Sequence, residues 1–411
     1  MMISVVILAL VFLFTAIRQV GNIRLDIWQI MCMGALGVLL TAQISITDAI
    51  AGINIDVMLF LFGMFIIGQA LEMSGYLSHL SYRFFKNARS IDAVILYILF
   101  GMGFASAFLM NDTLAIIGTP VVLLLAKEHS IDPKLLLMAL AFAVTTGSVI
   151  SPIGNPQNLL IALGSDIHYP FLTFMKYLLL PTAINLMIAY FILRISFRKH
   201  FTSCPLNHSR PSVTDKKLAA LSRLSLGLVV LLVCIKIMMA LSGLEYDMEL
   251  TYIALISAMP ILLLSKRRKE VVKNLDWHTL IFFVAMFILM ESVWNSGFFQ
   301  RVIDDSGLNI TMTPMILAIS VILSQFISNV PLVALYMPML SHADVTITGM
   351  MALAAGSTIA GNLSILGAAS NVIIIQNAER KGKVSLGFFE FARIGLPLTV
   401  LQLMVYWIFL V

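Results

Sequence analysis

Apolar runs of about 20 residues, the length a helix needs to cross a bilayer, recur along the chain between short polar joints. Ten can be drawn, near 2–17, 26–44, 55–73, 135–163, 171–193, 220–241, 248–265, 277–296, 350–376 and 390–410. Two further apolar segments, 93–126 and 314–341, are interrupted at their centres by Asn111-Asp112-Thr113 and by Ser328-Asn329-Val330-Pro331. Their arms, about 16 residues each, are too short to span comfortably. The pattern therefore predicts re-entrant hairpins that return to the side they entered. Two of the ten spans are broken as well. TTGSVISPIGNPQNLLIAL holds Ser151, Pro152, Gly154, Asn155, Pro156, Gln157 and Asn158 in its middle, and AAGSTIAGNLSILGAASNVIII holds Asn362, Ser364, Gly367, Ser370 and Asn371. Proline and glycine cannot continue a helix there, so 135–163 and 350–376 should unwind and restart.

These irregularities come in pairs. Asn111 matches Asn329 and Pro120 matches Pro338 at one offset of 218 residues. Met64-Phe65-Ile66 and Ser74-Gly75 match Met286-Phe287-Ile288 and Ser296-Gly297 at 222, and Gly154 and Asn158 match Gly367 and Asn371 at 213. The chain thus divides into a first repeat (1–195), a polar linker (196–219) and a second repeat (220–411). Each repeat reads as three spans, a hairpin, a broken span and a final span. A hairpin adds no crossing, so the count per repeat is odd and the second copy should insert upside down. Such paired interruptions mark secondary transporters built from inverted repeats.

Composition agrees. Hydrophobic residues make up 60% of the sequence and charged residues 11%, against about 25% charged in a soluble domain. The expectation is an all-α polytopic membrane protein in the cytoplasmic membrane. Its net charge of +5 matters less than its distribution. With these spans, Lys and Arg gather on one side, in the loops around 18–24, 83–89 and 127–134, the linker, KRRKEVVK and ERKGK. Arg301 alone falls opposite, and Lys176 and Lys236 lie within spans. Positive loops stay cytoplasmic, which puts both termini outside and the linker in the cytoplasm. The first span follows the N-terminus with no basic leader or cleavage site and reads as retained. Cys32, Cys204 and Cys234 are isolated and form neither a disulfide framework nor a thiolate metal site.

Polar groups at bilayer depth are expensive and mark function. A backbone that turns there must line a cavity or pack on protein, and Asn and Thr supply donors and acceptors for it. The candidate binding residues are accordingly Asn111, Asp112, Thr113, Ser328 and Asn329 at the tips, with Ser151, Gly154, Asn155, Gln157, Asn158, Asn362, Ser364, Gly367, Ser370 and Asn371 at the breaks. Helices restarting at those breaks present positive dipole ends that favour an anion. Freed carbonyls beside them suit a small cation. Asp112 is the sole acid at either tip, since Val330 takes its place in the other, and is the expected coupling group. Glu291 and Glu72 are the other acids placed within spans. The sequence holds no nucleotide-binding loop, nucleophile elbow or HExxH, and its histidines have no metal-ligand spacing. A non-enzymatic carrier without cofactor or nucleic-acid partner follows.

At these residues the chain resembles the ion transporter superfamily, which includes arsenite/antimonite efflux permeases, NhaD-type sodium/proton antiporters, citrate transporters and divalent anion/sodium symporters. NDTLAIIGTPVV (111–122) is similar to the hairpin of the arsenite permeases, and GNPQN (154–158) and GAASN (367–371) fall where such proteins bind ion and substrate. The dicarboxylate symporters carry Ser-Asn-Thr at both tips, where this chain has Met110-Asn111-Asp112 and Ser328-Asn329-Val330. The resemblance implies a secondary active transporter, a homodimer, and H+ or Na+ as coupling ion, with Na+ held at the tips. The expected solute is a small inorganic anion or arsenite-like oxyanion. The alternatives are sodium/proton antiport, citrate or dicarboxylate symport and, outside carriers, a passive channel or a receptor.

Overall fold

The computed structural model describes residues 2–17, 19–20, 23–165, 167, 169–201, 213–242, 249–298, 301, 310–327, 329–343 and 345–411. Ser328 and linker residues 202–212 lie outside the described residues. Apart from a two-residue ladder pairing Gln19–Val20 with Ile23–Arg24, the regular structure is helical. The first three apolar runs form α1 (Met2–Ile17), α2 (Ile27–Leu40) and α4 (Ile55–Met73). A short helix at the polar corner, α3 (Ile46–Ala51), was not legible as a span. Asn54 starts α4 by accepting the Val57 N–H at 3.0 Å, and Gly75, at φ +75°, ends its polar exit. The amphipathic α5 (Tyr76–Phe85) follows.

The 93–126 segment forms two arms around one backbone break. The first comprises α6 (Ile91–Leu96), a π-helical turn (Tyr97–Met102) and α7 (Gly103–Leu109). Met110 then turns the chain at φ 65°, ψ 146°, and α8 (Asn111–His129) begins at once. The arms are longer than the 16 residues expected, because α8 extends into the polar Lys127-Glu128-His129 turn and the first arm starts at Ile91. Both pack on α9 (Pro133–Ser148). The contact with α7 is backbone to backbone: a Cβ on Gly147 would lie 2.1 Å from the Gly103 carbonyl oxygen. Ser106 Oγ lies 3.0 Å from the Val144 carbonyl that it bonds across the same crossing. Small residues and interhelical hydrogen bonds are how helices associate where lipid removes the hydrophobic drive.

Beyond α9 come α10 (Pro156–Gly164), α11 (Pro170–Ser196), α12 (Lys216–Leu241), α13 (Leu250–Leu264), the short α14 (Arg268–Lys273) and α15 (Trp277–Asn295). The segment 314–341 forms α16 (Thr313–Ile327) and α17 (Asn329–His342), and both pack on α18 (Ile347–Ile359). After α18 come two 3-10 turns, then α19 (Ala369–Asn377) and α20 (Phe388–Leu410). Six described helices are long and apolar enough to cross a bilayer: α4, the Ile91–Leu109 arm, α11, most of α12, α15 and α20.

Two helix groups pack side by side. One holds α1, α2, α4, α12, α13 and α15; the other holds the arms, α9, α11 and α16 to α20. Charges collect at one face. There Lys381 pairs with Glu72, Lys134 with Glu390 at 2.8 Å, Arg380 with Asp276 at 3.5 Å and Arg194 with Asp92 at 3.4 Å. Glu72 is thus the end of α4 in an ion pair, away from the helix breaks. Lys176 lies 5.2 Å from the Tyr177 ring centroid. The opposite face carries the start of α1 and the end of α15, joined by a 2.9 Å bond between the Ser4 and Ser292 hydroxyls.

Candidate functional site

Four helix starts converge. At the first tip the Asn111 N–H donates to the Gly154 carbonyl at 3.0 Å, fastening the tip to the first break. The Asp112 N–H donates to Asn111 Oδ1 at 2.9 Å, so the tip caps itself. Asp112 is buried, and its Oδ1 has no hydrogen-bond partner. At the second tip Asn329 is buried and its Oδ1 is likewise without a partner. A buried polar atom left unpaired costs about 1–3 kcal/mol, and more for a charged group. The two unpaired atoms lie one position out of register, since Asn111 is the residue that matches Asn329 and Val330 the one that matches Asp112.

At the first break, residues 149–155 run without regular structure between α9 and α10. Asn155 caps α10, its Oδ1 accepting the Asn158 N–H at 2.9 Å, and Pro156 occupies the first helical position, where no N–H is needed. The Asn155 amide donates to the Ser148 and Thr358 hydroxyls, both at 3.1 Å. The Asn158 amide faces the Ser148, Val149 and Ser151 carbonyls at 3.3, 3.4 and 3.1 Å. Its Oδ1 accepts from Thr358 at 3.3 Å. Gly154 fits because a Cβ would lie 2.1 Å from the Ser148 carbonyl oxygen. Asn155 and Asn158 therefore hold the unwound backbone that exposes the site.

The second break is built alike but less completely paired. Asn371 donates to the Gly361 and Ser364 carbonyls, Ser364 donates to Gln325 at 2.7 Å, and Gln325 donates to the Ala360 carbonyl at 2.8 Å. The Asn362 amide donates to Gln402 Oε1 at 2.7 Å and to Thr146 at 2.9 Å. The Oδ1 atoms of Asn362 and Asn371 and the Ser370 hydroxyl find no partner.

A cavity of about 380 Å³ lies between the breaks and the facing helix group. The tips contribute Asn111, Asp112, Asn329 and Val330, and the breaks Pro156, Gln157, Ala368 and Ala369. The far wall is one face of α15, with Phe283, Met286, Phe287, Met290, Glu291 and Trp294, and the rim is the 52–57 corner with Gly52, Asn54 and Val57. The exposed Asn54 and the end of α15 border the cavity on the face opposite the ion pairs. Glu291 sits there and accepts from Asn295 at 3.2 Å.

The structure brings Asn111, Asp112, Gln157, Asn329 and Glu291 to one space. Thr113, Ser151, Gly154, Asn155, Asn158, Asn362, Ser364, Gly367, Ser370 and Asn371 surround the breaks but do not line it. The α15 wall went unread, because its Phe and Met positions look like any lipid-facing or core position. Gln325 and Gln402 had a legible signal: each is an uncharged polar side chain inside an apolar run.

Apolar spans, helices interrupted at bilayer depth and a shared cavity at the interruptions define a multi-pass membrane transporter. The chain belongs to the citrate transporter (CitMHS) family, whose profile matches residues 9–349. It is 26% identical to an uncharacterized transporter of Mycobacterium tuberculosis over 97% of this chain and 96% of that protein. It is 23% identical to the human P protein over 87% of this chain and about half, 53%, of that longer protein. Among solved structures it resembles the YdaH transporter of Alcanivorax borkumensis, with a TM-score of 0.48, 13% identity, and coverage of 100% of this chain and 96% of that one.

Proposed function

We propose that this protein is a secondary active transporter in which the 380 Å³ cavity holds the solute and Asp112 takes the coupling ion, H+ or Na+. The observation that carries this reading is Asp112, a buried carboxylate at the first tip that lines the cavity and has one oxygen without a hydrogen-bond partner. A permanently open pore has no use for such a group. A carrier does, since protonation or a cation satisfies it in one half of the cycle. Irregular backbone lining a midplane site is also what repeat-built transporters use. On this reading the two halves are inverted repeats in the cytoplasmic membrane, with the basic face inward, and the cavity is open to the outside. The Lys381–Glu72 and Arg380–Asp276 pairs join the turn after α19 to the end of α4 and to the cap of α15, across the two helix groups. They close the inner side, and breaking them accompanies rocking or elevator-like exchange.

The family's citrate and an arsenite-like oxyanion are the solutes that family and motif suggest. The described lining holds two carboxylates, Asp112 and Glu291, and no Lys, Arg or His. That favours a neutral or protonated solute, such as undissociated arsenous acid, over a multiply charged anion. Proteoliposomes test the coupling. Counterflow of labelled citrate, arsenite or sodium, or proton flux driven by a solute gradient, is expected, and Asp112→Asn should abolish the driven component in a folded protein. Single-channel conductance without counterflow, or driven transport by Asp112→Asn across the neutral pH range, refutes the reading.

A further inference from the structure

Resting on the cavity as solute site, we propose that Thr358 fixes which end of the Gln157 amide meets the solute. The oxygen so presented selects a hydroxy acid over the same acid without its hydroxyl. Thr358 lies near the end of α18 and Gln157 in the first turn of α10; both are buried, and Gln157 lines the cavity. A side-chain amide can turn either end to a neighbour, so its orientation follows from what the neighbours offer. Here the neighbours settle it, in a chain that starts at the unwound backbone. The Asn158 N–H donates to Asn155 Oδ1 at 2.9 Å, which leaves Asn155 its amide nitrogen for hydroxyl groups. The Asn158 amide nitrogen faces three backbone carbonyls, at 3.1, 3.3 and 3.4 Å, so Asn158 turns its Oδ1 to Thr358. A threonine hydroxyl has one hydrogen and two lone pairs. Its hydrogen goes to Asn158 Oδ1 at 3.3 Å, and one lone pair accepts the Asn155 amide at 3.1 Å. Only a lone pair remains for Gln157, which therefore donates from Nε2, at 3.4 Å. Were Gln157 reversed, two oxygens would face each other with no hydrogen between them. Oε1 is thus the end that Gln157 offers to the cavity.

The tips offer the opposite chemistry. Asn111 Oδ1 is occupied by the Asp112 N–H at 2.9 Å, and Asn329 Oδ1 is enclosed by protein. Both side chains line the cavity, and their amide nitrogens are the ends left for a solute. Two sets of N–H donors suit the oxygens of a carboxyl group, and Asp112 adds an O–H when it carries the coupling proton. Glu291 is a further acceptor, but it stands on the α15 wall and is already engaged by Asn295 at 3.2 Å. A carboxyl group on the tips and a hydroxyl on Gln157 together describe a hydroxy acid, and the family's citrate is one. A solute without the hydroxyl leaves the buried Gln157 oxygen with no partner, and sites of that kind discriminate far more strongly than apolar ones. The device needs both breaks: the residue that reads the hydroxyl and the residue that aims it are 201 positions apart.

The test is counterflow of labelled citrate and of labelled tricarballylate, the same tricarboxylic acid without the hydroxyl, in proteoliposomes of the full-length protein. Wild type should carry citrate with a KM at least about tenfold lower. Thr358→Val keeps the shape but has neither hydrogen nor lone pair, so Gln157 loses its fixed end. The KM ratio should fall to about one, through a rise for citrate. Thr358→Ser keeps the hydroxyl and should keep the wild-type ratio. Loss of packing alone would weaken both acids together, and a Thr358→Val ratio equal to wild type overturns the positioning role. Gln157→Leu leaves Thr358 paired with Asn155 and Asn158, and should bring the ratio to about one even where Thr358→Val does not fold. A wild-type ratio in Gln157→Leu, or loss of both acids there, overturns the selection by Gln157. Equal transport of both acids by wild type, or exchange of arsenite and of neither acid, overturns the hydroxy-acid class and leaves the carrier standing. No counterflow of citrate, tricarballylate or arsenite overturns both this inference and the carrier reading.

Discussion

Removing the Asn158 amide separates two roles that the sequence left joined. The side chain faces three carbonyls of the unwound segment and accepts a hydroxyl hydrogen bond from Thr358. Its two N–H groups satisfy two carbonyls well at any moment. Asn158→Ala therefore strands two buried acceptors and the Thr358 hydroxyl, at about 1–3 kcal/mol per acceptor less what relaxation recovers. We expect a loss of about 2–4 kcal/mol. For a chain of this length that is about 2–5 °C in the unfolding midpoint, taken from the per-residue entropy of unfolding. Differential scanning fluorimetry of purified protein in one lipid mixture reads it. Asn158→Asp should fall further, since it sets a carboxylate against the same carbonyls. Asp112→Asn, which removes an unpaired buried carboxylate, should leave the midpoint unchanged or raise it. An Asn158→Ala midpoint equal to wild type would show that the break is held by other contacts, and the assignment of Asn158 to the scaffold of the site would be wrong.

Met110 holds φ 65°, ψ 146°, a region that costs a non-glycine residue about 1–3 kcal/mol. Met110→Gly gives back about 0.5–1 kcal/mol of that as chain entropy. It should still raise the unfolding midpoint, and a fall in the same fluorimetry refutes backbone strain at the tip. Breaking the inner ion pairs with Glu72→Gln and Asp276→Asn should speed labelling of Ala369→Cys by an impermeant maleimide from the basic face, in a background lacking Cys32, Cys204 and Cys234. An unchanged labelling rate separates these pairs from the closure. On that face Asp215 caps α12 through the Leu218 and Lys217 N–H groups and meets Arg267. The Leu218 N–H first, then Arg267 and the Lys217 N–H, hold its carboxyl below the usual carboxylate range. Because the folded value is the lower one, this contribution is present above the unfolded value, near 3.9, and is lost as pH falls through the folded one. Wild type and Asp215→Ala midpoints should therefore differ at neutral pH and converge in acid, by a small amount because the group is partly exposed. Curves that stay parallel to the lowest pH refute it.

Much of this molecule is written locally. A run such as 55–73 has one stable form in a bilayer, because every backbone amide must be paired within the segment, and α4 spans Ile55–Met73. Pro152, Gly154 and Pro156 forbid a continuous helix whatever surrounds them, and α9 stops at Ser148 and α10 starts at Pro156. The tip at Asn111 and the basic face were legible for the same reason: each depends on chemistry along the chain. What each polar residue does there was not legible. Asn155 and Asn158 have the same side chain as Asn329, yet their amides are used up on carbonyls and hydroxyls brought from α18 and the unwound turn. Asn329 lines the cavity and keeps an oxygen without a partner. Glu72 and Glu291 are both acids on apolar helices, and only packing sends one to Lys381 and the other to the cavity. The wall of α15 joins the site because two helix groups meet across it, which brings together residues as far apart in the chain as Asn111, Phe283 and Ala369. The sequence by itself determined where apolar helices run, where they are interrupted and where the basic residues gather. Tertiary structure decided which unpaired atoms share a space, because pairing of a buried group depends on what is packed against it.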